Sequence, residues 1–202
     1  MDVSRETLEG LKTYEALIEK WNSKINLVSK GQDIWTRHIL DSYQLAASIP
    51  EDARSLVDFG SGGGLPAIVL AIYAKAHQPE LSFTLIESDH RKSAFLRTCI
   101  RELGLNGQVI TERVESANPV ASDVITARAT ASLSQLLEWT SIHGHRGSRA
   151  IFPKGERYQF EIDEAEEKWA FQCEKRSSST NTSARILIIT DLKMKSEADA
   201  VQ

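Results

Sequence analysis

Residues 56–72, LVDFGSGGGLPAIVLAI, constrain this chain more than any other stretch. Leu56, Val57 and Phe59 read as a short buried strand, and Ile68, Val69 and Ile72 as the buried stripe of a following helix. Between them lie Gly60, Gly62, Gly63 and Gly64, where a chain leaving a strand must turn sharply. Glycine reaches positive φ there, and its missing Cβ lets a ligand touch the main chain. Pro66 suits the first turn of the helix, where its missing N–H costs nothing. A packing turn needs two or three glycines. The further glycine, with Asp58 just before the series, favours a nucleotide-type ligand over packing alone.

The phase of the glycines narrows the ligand. A dinucleotide site shows G-x-G-x-x-G, with its second glycine making room for a pyrophosphate. Counted from Gly60, the last position is Leu65, and the match fails; counted from Gly62 it ends on Ala67, two residues late. The string has the form acid-x-G-x-G-x-G, which resembles motif I of Rossmann-like S-adenosylmethionine (SAM) methyltransferases. The resemblance implies a loop that passes under the amino acid and ribose of SAM, with no phosphate to grip.

Composition limits the wider reading. The chain has 202 residues, enough for one domain with a proper core and a small appendage. Hydrophobic residues make up 41% and mean hydropathy is −0.29, values of a soluble globule. The longest apolar stretch, around 65–74, is far short of a membrane span, so no membrane partner is expected. MDVSRETLEG is too charged for a signal h-region. Cys99 and Cys173 are isolated, which suggests neither a disulfide framework nor a metal site; both read as packing residues in a reducing cytoplasm. A net charge of −4 argues against nonspecific coating of nucleic acid, while leaving room for a local basic face.

Residues 1–50 read as a helical extension. Leu8, Leu11, Tyr14, Leu17, Ile18 and Trp21 recur at helical spacing, as do Ile34, Trp35, Ile39, Leu40 and Tyr43, and Pro50 closes the unit. Over 51–195, strand-like and helix-like runs alternate, which predicts an α/β, doubly wound, mainly parallel sheet with helices on both faces. Strands are expected at 82–88, 108–113, 122–128 and 149–154, with helices over 89–105 and from Leu133 to about His143. AFQCEK and RILIIT read as a closing hairpin, and the Ser/Thr-rich stretch 177–183 between them as an exposed loop. HGHRG (143–147) reads as a helix end and turn. The tail 196–202 is expected to be disordered.

Glu87 ends the second strand, 27 residues after Gly60. In an open α/β sheet ligands bind beyond the carboxyl ends of strands, and a carboxylate there can accept both hydroxyls of a ribose. The alternative is an acid that favours the dipole of the next helix, which Asp89 could equally supply. His38 and Asp41, one helical turn apart, read as a structural hydrogen-bonding pair that seats the helices on the sheet.

DFGSGGGLP, ERVES (112–116) and TARATASL (126–133) fall in order at predicted strand ends. Together with WNSKINLVS (21–29), HILDS (38–42) and PKG (153–155), they resemble the RsmG (GidB) family over roughly residues 14–160. That family uses SAM to methylate N7 of a guanine in bacterial 16S rRNA. The resemblance implies a class I SAM methyltransferase fold, S-adenosylhomocysteine as product, and 16S rRNA within a small-subunit particle as partner. A monomer in the cytoplasm is expected.

The same resemblance carries Gly60, Leu65, Val114, Glu115 and Arg128 to the walls of the SAM pocket. Gly62, Gly64 and Glu87 join them as expected cofactor-binding residues, and Arg128 and Lys154 are the candidates for positioning guanine. No metal is expected. The chain departs from the family at Ala67, where Pro-Gly is usual, and at Pro153, where a leucine or alanine precedes Lys-Gly. A noncatalytic RNA-binding factor on the same fold and a nicotinamide oxidoreductase remain as alternatives. Binding of SAM and of NAD discriminates among the three.

Overall fold

The computed structural model describes residues 3–29, 31 and 33–195; the tail 196–202, expected to be disordered, lies outside the described residues. The first helix, α1 (Arg5–Asn22), starts where the Ser4 side chain accepts from Thr7 N, an N-cap that satisfies an otherwise orphan donor. Its stripe Leu11, Tyr14 and Ile18 is fully buried, against a polar outer face.

The second helical pattern forms, but not as one α-helix. A π-turn over Trp35–Leu40 leads into one α-turn, α2 (Asp41–Tyr43), and a 3₁₀ turn over Gln44–Ser48. The changing pitch rotates successive residues, so that Ile39, Tyr43, Leu45 and Ala46 are all buried while His38 and Asp41 face the sheet end.

Among the described residues seven strands follow: β1 (Ser55–Phe59), β2 (Ser82–Ile86), β3 (Gly107–Ile110), β4 (Ser122–Ala127), β5 (Gly144–Lys154), β6 (Trp169–Ser177) and β7 (Arg185–Met194). Their spatial order is β3-β2-β1-β4-β5-β7-β6; the first five are parallel, and β7 runs antiparallel to both β5 and β6. The order reverses between β1 and β4, so the carboxyl ends of these two strands open a crevice.

Helices α3 (Ala67–His77) and α4 (His90–Leu103) join α1 on one face, and α5 (Leu133–His143) and α6 (Tyr158–Glu166) cover the other. Helix α4 is bounded as its sequence requires. Asp89 accepts from Arg91 N and Lys92 N at the start, and Gly104, at φ +58°, ends it.

Residues of α1, α2, α3 and α4 form one continuous core with Leu56 and Phe83 of the sheet. The N-terminal segment is thus a layer of the domain. Each fully buried large side chain in it, such as Ile18 or Phe95, contributes roughly 1.5–3 kcal/mol.

Strand β2 ends at Ile86, before Glu87, and the hairpin strands β6 and β7 run past the stretches expected for them, but two strands differ more consequentially from the sequence reading. Strand β3 stops at Ile110 instead of running to Arg113, because a 3₁₀ turn (Val114–Ser116) needs the intervening residues as its entry. Strand β5 begins at Gly144, five residues early. A register shift lets Ser122 pair with Gly144 while Val124 pairs with Arg149, and the excess residues bulge. Glycine and histidine there read as a turn. Pro66 is the N-cap of α3, and Ala67 is its first residue.

Candidate active site

A cavity of about 780 Å³ opens at the carboxyl ends of β1, β2 and β4. Its floor is the turn between β1 and α3. Gly60, Gly62 and Gly64 all have positive φ, at +60°, +53° and +84°, yet each makes room for something different. A Cβ on Gly60 would stand 2.5 Å from Thr130 Cγ2, so that glycine admits the β4–α5 loop. A Cβ on Gly64 would stand 2.5 Å from Ile68 Cγ1 and 3.0 Å from Leu96 Cδ2; Gly64 serves packing beneath the turn and is not part of the cavity lining. At Gly62 the nearest atom would be Gly60 O, 3.8 Å away. Gly62 lines the cavity, and no side chain among the described residues claims the space beside it. A bound molecule can therefore rest on its backbone.

Glu87 follows β2 and is 7% exposed. One carboxylate oxygen accepts from Gly62 N at 2.8 Å, and the other accepts from Asp89 N at 2.8 Å. These bonds lock the rotamer and tie the acid to the glycine turn. Each oxygen keeps a lone pair for a further donor, which is what a ribose diol offers. Asp89, and not Glu87, caps α4. Val114 and Leu65 supply apolar wall, and Glu115 lies at the rim, half of a pair suited to flank a flat heteroaromatic ring. This site, with an open cradle and a paired-acceptor carboxylate, fits SAM.

Asp58 lies directly behind the turn and is fully buried. Thr126 Oγ1 donates to its Oδ1 at 2.7 Å, while Oδ2 has no partner among the described residues. Burial pushes its carboxyl up to about 7, against the opposing effect of the hydrogen bonds from Thr126 and Ser61.

Arg128, at the end of β4, is held by the N-terminal segment. Its guanidinium donates to Asp41 Oδ2 at 3.3 Å and to Arg37 O at 3.4 Å, and stands 2.9 Å from His38 Nδ1. His38 and Asp41 therefore seat the helical segment on the sheet through a shared arginine. Burial, followed by the charge of Arg128, lowers the His38 imidazole below its ordinary value. Lys154, at the end of β5, is equally engaged: Nζ donates to Glu161 Oε2 at 2.7 Å and to Ala131 O at 2.8 Å. Arg128 lines the first cavity and also a second one beside it, whereas Lys154 lines only the second.

The model that describes the rRNA small subunit methyltransferase G family, GidB, matches residues 7–188. The chain belongs to that family. Curated relatives with the name ribosomal RNA small subunit methyltransferase G include one from Ruegeria sp. (strain TM1040), 47% identical over 94% of this chain and 93% of its own length. Another, from Acidiphilium cryptum, is 45% identical over 95% of this chain and 94% of its own. Solved structures share the fold at low identity. A methyltransferase from Geobacter sulfurreducens aligns with a TM-score of 0.60 at 13% identity, over 90% of this chain and 88% of that one. A ribosomal protein L11 methylase from Lactobacillus delbrueckii subsp. bulgaricus gives 0.60 at 15%, covering 75% of this chain and 76% of that one.

Against the family pattern, sequence reading of the site omits the strap over the cavity. Asn26, Leu27, Val28 and Ser29 line it from above. Asn22 fixes their path: its Oδ1 accepts from Leu27 N at 2.8 Å and Val28 N at 3.1 Å, while its Nδ2 donates to Val28 O at 3.0 Å. The signal is present in WNSKINLVS, where an asparagine precedes a short apolar run. What it lacks is any sign of which loop those residues will cross.

Proposed function

We propose that this member of the GidB family transfers a methyl group from SAM to N7 of a guanine in 16S rRNA, acting in the cytoplasm, as a monomer, on a small-subunit particle. The observation that carries the cofactor reading is the pairing of Glu87 with the amide of Gly62, beside a glycine whose Cβ position no described atom crowds. In this reading the turn 60–65 supports the methionine portion, with Gly60, Gly62 and Leu65 in contact and Gly64 keeping the turn packed. Glu87 accepts from the ribose hydroxyls, and Val114 with Glu115 flanks the adenine. The layer 1–50 and the domain 51–195 share the work, since the strap at 26–29 belongs to the first.

SAM, held by Gly60, Gly62, Leu65, Glu87, Val114 and Glu115, would supply an electrophilic methyl on a sulfonium, with the C–S electron pair remaining on sulfur to give the thioether product. Guanine N7 carries a lone pair in the neutral base, so no general base has to act first. The chain's task is alignment. A hydrogen bond to N7 would occupy the attacking lone pair, so a positioning donor belongs on O6. Arg128 and Lys154 both keep unused N–H donors beyond the contacts they make, and we assign them that role.

The test is transfer of labelled methyl to small ribosomal subunits from cells that lack the gene, with the product mapped by mass spectrometry. One methylated guanine is expected, and replacing the target base by 7-deazaguanine should abolish transfer. Deaza product at a tenth of the normal rate would sink the N7 assignment. No SAM binding in calorimetry would sink the enzyme reading altogether and leave the noncatalytic one.

A further inference from the structure

Beside the first cavity lies a second, of about 770 Å³, and the two share His38, Arg128 and Ala129. Its outer wall comes from the loop joining β6 to β7, the Ser/Thr-rich stretch. That loop is tied to the N-terminal segment: Thr180 Oγ1 donates to Asp41 Oδ1, and Gln44 donates to Ser178 Oγ at 3.2 Å and accepts from Ser179 N at 2.8 Å. The wall is built before anything binds.

The charges around this cavity sort into two kinds. Asp41 offsets Arg128 at 3.3 Å, and Glu161 offsets Lys154 at 2.7 Å. Arg37 and Arg185 line the same cavity and form no ion pair among the described residues. Arg37 is exposed; Arg185 is braced by Thr182 O and Ala184 O at 2.8 Å and lies over the Tyr158 ring. The positive field that reaches solvent here therefore comes from these two arginines.

We propose that the second cavity receives the acceptor nucleotide of a single-stranded RNA segment, with Arg37 and Arg185 holding backbone phosphates at its rim. The inference rests on the RNA methyltransferase reading and deepens it. An enzyme that modifies a base must take it out of the stack, and the base then needs a chamber contiguous with the reactive group. This chamber is contiguous with the cofactor cavity, and its volume falls within the roughly 300–1,000 Å³ of small-ligand sites. A guanidinium fits a phosphate through two parallel hydrogen bonds. The paired Arg128 and Lys154 contribute little net charge and are left to read the base.

The experiment compares wild type with Arg37→Gln, Arg185→Gln and the control Arg146→Gln, which removes a charge from an exposed position outside this cavity. Binding is measured by filter binding of protein-free 16S rRNA from cells that lack the gene, across a salt series, and turnover is measured on small ribosomal subunits from the same cells. Each rim variant is expected to flatten the slope of log affinity against log salt by about one and to raise KM for RNA about tenfold. SAM affinity in calorimetry and kcat at saturating RNA should stay near wild type. Slopes equal to that of Arg146→Gln would overturn the inference. Wild type that binds RNA but transfers no methyl to the subunits would overturn the enzymatic reading instead, while the slopes would still decide this one.

Discussion

On the cofactor side, the N-terminal segment reaches the glycine turn through a buried hydroxyl and apolar contact: Tyr14 donates to Gly63 O, and a Cβ on Gly63 would meet Leu27 at 3.4 Å. On the acceptor side the same segment reaches the β6–β7 loop through Asp41 and Gln44, by side-chain hydrogen bonds at half-buried positions. Backbone shape and apolar packing define the first wall, so single atoms there are decisive. The second is a polar network with several members, in which losing one bond leaves others standing. Such a network tolerates variation, which suits a surface that has to fit an RNA.

The two walls differ most in the turn itself. Gly62→Val should lower SAM affinity about a hundredfold or more by calorimetry while the protein stays folded, because its side chain would fill ligand space at a positive φ. Gly64→Ala should do the reverse, losing roughly 2–4 kcal/mol in denaturant unfolding through strain and overpacking. If the two variants behaved alike, the division of labour among the glycines would be wrong.

Asp58 sharpens the apolar side of the contrast through pH. Its carboxyl is raised in the fold, so between its ordinary value of 3.8 and about 7 the folded protein keeps a proton that the unfolded chain has released. The resulting stability is full below the lower value and is lost as pH rises through the upper one, a change of roughly 1–4 kcal/mol. Unfolding curves from pH 5 to 8 should show that decline in wild type and a flatter profile in Asp58→Asn.

Glu87→Gln keeps the shape but removes the charge, and should cost roughly 1–3 kcal/mol of SAM binding. The loss should nearly vanish with a 2′,3′-dideoxy analogue; an equal loss with both ligands would mean that Glu87 only braces the turn. The smallest effect belongs to the polar wall. Gln44→Ala should cost about 0.5–1.5 kcal/mol in stability and speed proteolysis at 178–184, with SAM affinity unchanged.

What is legible in the sequence follows the same division. The turn is readable because a run of glycines after a strand, with a carboxylate at the next strand's end, serves few purposes besides holding a ligand. Gly64 reads as a ligand contact because sequence shows that a side chain is forbidden, and not what forbids it. The loop 177–183 reads as an exposed loop, since Ser and Thr solvate as readily as they bond to a distant Asp41. Arg128 and Lys154 read as candidates for positioning guanine with no sign of what holds them, because their partners, Asp41 and Glu161, are brought to them by irregular helical pitch and by α6. Those partners become visible only once the chain is folded.

The hydrogen bond from Thr180 to Asp41 spans 139 positions of sequence. As the chain leaves the ribosome from its N-terminus, the strands β1 to β4, the glycine turn and the rest of the cofactor cavity's lining, which reaches to Trp139, have emerged about forty residues before the loop that closes the neighbouring chamber. Contacts of such sequence separation form late in folding, since the loop-closure entropy precedes their reward. A nascent chain can thus own a place for the methyl donor well before it owns a place for the methyl's destination.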